Sequence, residues 1–245
     1  LLGTLLVRSG LITSVHAFAN DPTRGLFIMV LIFFAVGGAL ALFAWRAPTL
    51  KDSASFEPVS RETTLLLNNV FLVAACACVF VGTLYPMVLD ALGGSKITVG
   101  PPYYALTFSP IFFALMMLVP FGPQLTWKRG DLKAAWQTLY PALGLAAVAG
   151  LVVLAVVSPR GVAATCAFAV AGWLIGASII DARKRRGARA SAFAAAIAHA
   201  GLGITLMGVA GTTAWRSESL TVVAPGQTMT VGRYTLRFDG VTEVK

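Results

Sequence analysis

Apolar residues fall along the chain in six long runs, at 26–44, 65–85, 105–121, 138–157, 162–180 and 191–212, with short polar, basic or turn-forming segments between them. Crossing roughly 30 Å of hydrocarbon takes about 20 helical residues, so the pattern predicts six transmembrane helices. The run at 105–121 is short and carries Pro110, which predicts a kink or tilt, whereas Pro86 and Pro141 sit at run ends, where a helix tolerates proline better. Beyond 212 the texture changes. Residues 221–231, then Tyr234, Leu236 and Phe238 alternating with Thr235 and Arg237, are punctuated by Pro225-Gly226 and Asp239-Gly240, and read as short β-strands. One or two strands make too little sheet to be stable, so further strands are expected to follow. The predicted fold class is an all-α polytopic membrane protein of six transmembrane helices with a small β segment at its C-terminal end. The predicted divisions are a segment at 1–25, a helical bundle at 26–212 and the start of a β domain at 213–245.

Composition removes the soluble alternative. Of 245 residues, 57% are in the AVILMFWYC set, 12% are charged, and mean hydropathy is +0.80, which leaves too little polar surface to cover a water-soluble globule. The net charge of +9 reads as topology rather than as a nucleic-acid surface. Arg46, Lys51 and Arg61, then Lys128, Arg129 and Lys133, then Arg183, Lys184, Arg185, Arg186 and Arg189 fall in alternate loops on one side of a six-span chain. That side is predicted to be cytoplasmic, which puts 1–25, 86–104 and 213–245 on the outer face, the periplasm of a bacterial inner membrane. The run Arg183 to Arg186 abuts two spans and contains no aromatic, so it is read as a membrane anchor, with no nucleic acid as partner. Asp90 and Asp181, at span ends, are expected to face water or headgroups, and Tyr103-Tyr104 and Trp127 to sit in interfacial belts. Cys76, Cys78 and Cys166 all lie in apolar runs without metal or redox spacing and are expected to be inert buried thiols. Nothing reads as a signal peptide, and the chain is expected to begin and end inside a longer polypeptide.

The two histidines are the first candidates for chemistry. His199 stands within the last span, flanked by Ala195, Ala196, Ala200, Gly203 and Gly208. An ionisable group at such depth is costly unless paired, coordinated or turned to the bundle interior, and small neighbours admit a flat macrocycle or a second helix. An imidazole held at one nitrogen leaves the other for a metal; hydrogen bonding between helices is the bland alternative. His16 precedes the first complete span. If 5–19 is helical, Arg8 and Ile12 lie two turns and one turn before it, so a guanidinium and an imidazole could address one ligand, as a haem propionate and haem iron would need. There is no phosphate-cradling glycine loop, no Ser-His-Asp set and no carboxylate pair within a span.

Several motifs resemble the CcmF/NrfE family of haem lyases, which act in cytochrome c maturation. They are Gly3 to Gly10 with Arg8-Ser9-Gly10, Thr13 to Ala19 with Ser14-Val15-His16-Ala17-Phe18, Asn68-Asn69, Gly82-Thr83-Leu84-Tyr85-Pro86, Val99-Gly100-Pro101-Pro102-Tyr103, His199-Ala200-Gly201 and Gly208 to Gly211. The resemblance spans nearly the whole chain and implies the C-terminal half of such a protein. It implies a membrane enzyme that takes haem from the chaperone CcmE and attaches it through thioethers to the Cys-x-x-Cys-His motif of an apocytochrome c. Partners would include thiol and chaperone subunits of the CcmH/CcmI type, membrane lipid, and quinol as electron source. Residue by residue, His16 matches a periplasmic axial ligand to the incoming haem, and His199 matches a transmembrane ligand to a permanent haem b. Arg8 is the candidate propionate partner; no catalytic acid or base is assigned.

The family's tryptophan-rich WWD segment has no counterpart here: Trp45, Trp127, Trp136, Trp173 and Trp215 stand singly, and the partner histidines are absent. Each site is therefore expected to be half a site, completed from outside this chain. Two competing classes are a secondary transporter that relays protons through His199, and a structural subunit that assembles a membrane complex.

Overall fold

A computed structural model describes residues 2–8, 21–49, 55–95, 97–156, 161–185, 190–216, 218–219 and 221–240. Among them the helices are α1 (Leu2–Arg8), α2 (Pro22–Arg46), α3 (Arg61–Ala91), α4 (Pro101–Leu118), α5 (Leu132–Leu139), α6 (Ala142–Val156), α7 (Val162–Lys184) and α8 (Ala190–Ala214), with a 3-10 stretch at Val119–Gln124 after α4. Five helices are long and apolar enough to cross a membrane, and a sixth crossing is available if α5 and α6 form one broken span. The protein is thus a polytopic helical membrane protein, as the hydropathy pattern predicts.

Two of the predicted span boundaries shift. The run at 138–157 is not one straight helix: α5 and α6 meet at an angle of 50°. The bend falls at Tyr140-Pro141, because proline lacks the N–H for the i−4 carbonyl and its ring clashes there. Alone, the 15 residues of α6 reach only about 22 Å at 1.5 Å per residue. Pro86, expected at a helix end, lies inside α3, which continues to Ala91. Pro110 likewise lies inside α4 without ending it.

The chain divides into two compact units, residues 1–58 with 69–112 and residues 59–68 with 113–245. In the first, Asp21 caps α2 by accepting from the Arg24 backbone N–H at 3.1 Å, and Pro22 occupies the first turn, both ordinary helix-start chemistry. Within the same unit α3 meets α4 where Gly82 faces Tyr103: a Cβ on Gly82 would fall 2.6 Å from the Tyr103 ring. The Tyr103 hydroxyl donates to the Cys78 carbonyl at 3.0 Å. Tyr103 therefore serves as a helix-to-helix clamp as well as an aromatic near the span end. The cysteines are less enclosed than expected, since Cys76 and Cys166 are exposed and Cys78 is half-buried; the two exposed ones sit on helix faces that the described protein does not cover.

The second unit has the packed core. Leu139, Ala142, Ala146, Trp173 and Ala177 form a buried cluster, with Phe121 and Ile180 against it. Small residues set its spacing. A Cβ on Gly172 would fall 2.7 Å from the Leu145 carbonyl oxygen, and one on Gly176 would fall 3.0 Å from the Ala142 Cβ, so α6 and α7 approach backbone to backbone. On α8, Gly203 plays the same part, its would-be Cβ lying 2.8 Å from Ile175 and 3.0 Å from the Ala171 carbonyl. The segment 126–131 folds back on the start of α3, with Arg61 N–H donating to the Thr126 carbonyl at 3.0 Å and Lys128 N–H to Glu62 at 2.8 Å.

After α8 the chain forms an antiparallel hairpin of β1 (Thr228–Val231) and β2 (Tyr234–Arg237) in the register Val231↔Tyr234. Gly232 takes φ +59° at the first turn position, the conformation a two-residue hairpin turn demands. Pro225-Gly226 makes a second turn, closed by Gln227 N–H to the Ala224 carbonyl at 3.0 Å. All of β2 is exposed, while Met229 and Val231 of β1 are half-buried.

Candidate functional site

The site is built at one end of the second unit, where the first two turns of α3, the 3-10 stretch after α4, the last turn of α7 and the first half of α8 come together. Arg61 opens α3. Pro120 and Pro123 hold the 3-10 stretch, which tightens the end of α4 into a cap over the helix ends. Trp173 of α7 anchors that cap by donating its indole N–H to the Met117 carbonyl at 3.2 Å, and packs against Phe121 and Trp136, ring centroids 6.1 and 6.4 Å away. Two tryptophans that stand singly in the sequence are thus gathered into one aromatic cluster with Phe121.

His199 stands on α8, about 13.5 Å from its first residue at 1.5 Å per residue. Ala196, one turn before it, is buried, and Gly203, one turn after it, packs on α7, so the imidazole belongs to the face that meets protein. It lines a cavity of about 570 Å³ together with Arg61, Asn68, Leu115, Arg185 and Ala195, among others. That volume lies within the range of small-molecule and cofactor sites, which are mostly apolar with a few fixed polar groups. Leu65, Leu115, Leu118 and Val119 supply apolar wall, and Arg61 and Arg185 supply cationic groups. The side chain of Arg185 is oriented by Asp181, its Nε lying 2.9 Å from Oδ1; Arg61 lies over the Trp127 ring at 5.2 Å.

Asp181 corrects the expectation of a headgroup-facing carboxylate. It is 5% exposed, and Oδ1 accepts from Arg185 Nε and, at 3.4 Å, from Gln124 Nε2. Lys184 is engaged too, donating to Gln124 Oε1 at 3.2 Å and Thr138 Oγ1 at 2.9 Å. Lys184 and Arg185, within the basic run that closes α7, therefore do internal structural work in addition to any role as a membrane anchor.

Of the sequence candidates, the structure describes His199 in the cavity wall and Arg8 at the close of α1. His16 lies outside the described residues, so its pairing with Arg8 stands as an expectation. Sequence reasoning missed Arg61, Arg185 and Asp181 as site residues, because each reads as a loop charge. The usable signal was position: all three sit at helix ends that the basic-loop count already places on the same side as one another.

No protein-family model matches the chain. Individual relatives do. It is 46% identical, over 99% of its length, to the cytochrome c-type biogenesis protein CycK of Rhizobium meliloti, and 38% identical, over 98%, to CcmF of Pseudomonas aeruginosa. It is 35% identical to CcmF of Escherichia coli over its full length. This chain is a homologue of the CycK, CcmF and NrfE cytochrome c-type biogenesis proteins. It spans 38% of the length of each of these three relatives, a share consistent with the C-terminal half that the motifs imply. A solved structure of the cytochrome c haem lyase CcmF has the same fold over 90% of the chain, with a TM-score of 0.57 at 20% identity. Within the CycK/CcmF/NrfE frame, the Asn68-Asn69 and His199-Ala200-Gly201 motifs each contribute a residue to the cavity wall, and a haem is the group to test against it. The residues fit: one imidazole, apolar wall on several sides, and two guanidinium groups suited to carboxylates.

Proposed function

We propose that this chain is part of a cytochrome c haem lyase of the bacterial inner membrane, which receives haem from a CcmE-type chaperone and attaches it through thioethers to the Cys-x-x-Cys-His motif of an apocytochrome c. The observation that carries the reading is the cavity of about 570 Å³ that His199 lines with Arg61 and Arg185. In this reading His199 would hold the iron of a haem b, with a further ligand supplied from outside this chain. Bound there, haem b would supply one-electron redox chemistry to keep the transferred haem reduced, with quinol as the electron source. The chain's own residues do three things: the His199 imidazole offers a nitrogen to iron, Arg61 and Arg185 pair with propionates, and the apolar wall excludes water.

The cytoplasmic side of the topology is the end that carries Arg61, Lys128, Arg129, Lys133 and Arg183, and residues 1–25 and 213–245 are periplasmic. His16, on that outer side, is the proposed ligand to the haem in transit, with Arg8 as its propionate partner. Apocytochrome c and CcmH/CcmI-type subunits are the proposed partners there.

The reduced-minus-oxidised absorbance spectrum of the natural full-length protein in detergent tests the reading. A low-spin b-type spectrum that His199→Ala removes or weakens is expected. A spectrum unchanged by His199→Ala would move the ligand elsewhere, and no haem in either sample would return weight to a transporter or structural role.

A further inference from the structure

His199 lines two cavities. The second is much smaller and is lined by Asp181, Gln124, Ser178, Leu174 and His199, among others. Its free space is about 10 Å³, near the minimum for a single water molecule. Asp181 is 5% exposed, and its Oδ2 is buried with no hydrogen-bond partner among the described residues. A buried carboxylate oxygen left unpaired is costly enough to call for a donor. Other side-chain donors around this cavity are already engaged: the Ser178 hydroxyl donates to the Leu174 carbonyl at 2.7 Å, and the Gln124 amide donates to the other Asp181 oxygen. The imidazole has two ring nitrogens, and one wall residue between two cavities can address both.

From this we infer that Asp181 is the positioning residue of His199: its Oδ2 accepts the ring N–H of His199 through one water in the small cavity, and so fixes which nitrogen faces the large cavity. The inference rests on the haem-binding reading above and adds to it the group that orients the ligand. Metal-bound histidines are commonly held in this way by a carboxylate, which fixes the tautomer and makes the imidazole a stronger donor. Asp181 is itself held by Arg185 at 2.9 Å, so one carboxylate joins the ligand to a proposed propionate partner. The arrangement links iron donor strength to the cationic end of the same cavity.

The test uses the natural full-length protein with His199→Gly, loaded with haem in the presence of imidazole or of 1-methylimidazole, which lacks the ring N–H. Imidazole is expected to restore the low-spin b-type spectrum at a concentration about 10–100-fold lower than 1-methylimidazole, the usual loss when such an outer partner is removed. That preference should vanish when Asp181→Ala is added, which removes the acceptor. A second measurement stands on its own if the glycine variant cannot be loaded: Asp181→Asn in the presence of His199 should raise the haem midpoint potential, since a less donating imidazole favours the ferrous state. Equal rescue by both imidazoles, or a potential and electron paramagnetic resonance spectrum identical to those of the parent, overturns the role of Asp181 while leaving the haem site standing. Absence of haem from the parent protein overturns both.

Discussion

Helices α2 and α7 are similar in length, 25 and 23 residues, and both are apolar enough to cross a membrane, yet they meet their surroundings differently. On α2, Phe27, Phe33 and Trp45 are 68%, 71% and 74% exposed, and a Cβ on Gly37 or Gly38 would meet nothing within 4 Å. On α7, Trp173 and Leu174 are 2% and 0% exposed, and Gly172 and Gly176 already touch α6. The contrast shows what apolarity settles in a membrane and what it leaves open. Lipid tails are as apolar as leucine, so burial against protein is selected by close packing of small residues and by specific hydrogen bonds rather than by hydrophobicity.

The sharpest way to break this comparison is Gly172→Val. Its Cβ would fall 2.7 Å from a backbone carbonyl oxygen and 3.0 Å from the Ala146 Cα, and backbone cannot rotate aside as a side chain can. A loss of about 3 kcal/mol or more is expected, seen as a collapse in the monodisperse yield of the full-length protein in detergent. Parent-like yield and thermal midpoint would mean that the α6–α7 seam is not the packed core. Trp173→Ala tests the same unit from its aromatic side and should cost about 3–5 kcal/mol. Trp173→Phe, which keeps most of the packing but loses the bond to Met117, should cost about 1 kcal/mol. Thermal unfolding of the three proteins side by side checks the order.

Against that contrast, the legibility of the sequence divides by length scale. Six apolar runs are enough to predict a polytopic helical protein, because the threshold for crossing hydrocarbon is a property of single segments. The break at Pro141 is readable as a proline but not as a 50° bend, since whether a proline ends, kinks or is carried within a helix depends on what supports the freed carbonyl; Pro86 and Pro110 are carried. The hairpin is legible through its alternation and turn residues. At the site, His199 can be singled out because an ionisable group deep in a span is rare and costly. Asp181 cannot: a carboxylate at the loop end of a span reads as solvated, and only the return of the 3-10 stretch over the end of α7 buries it. The same return brings Gln124 and Lys184 within 3.2 Å, a contact between residues sixty positions apart that no local pattern encodes.

The smallest predicted effect concerns the adjacent glycines of α2. By the logic that works for α7, Gly37-Gly38 would mark a seam, but Gly172 and Gly176 are four apart and share one face, whereas neighbours in sequence point about 100° apart around a 3.6-residue helix. With open space at both positions, Gly38→Ala should stabilise α2 by up to about 1 kcal/mol through helix propensity alone, and Gly38→Leu should be tolerated to within the same margin. Thermal midpoints of the full-length variants in detergent decide it. A destabilisation by Gly38→Leu approaching that of Gly172→Val would mean that α2 is sheathed by protein rather than lipid, and that small residues on it are a packing seam after all.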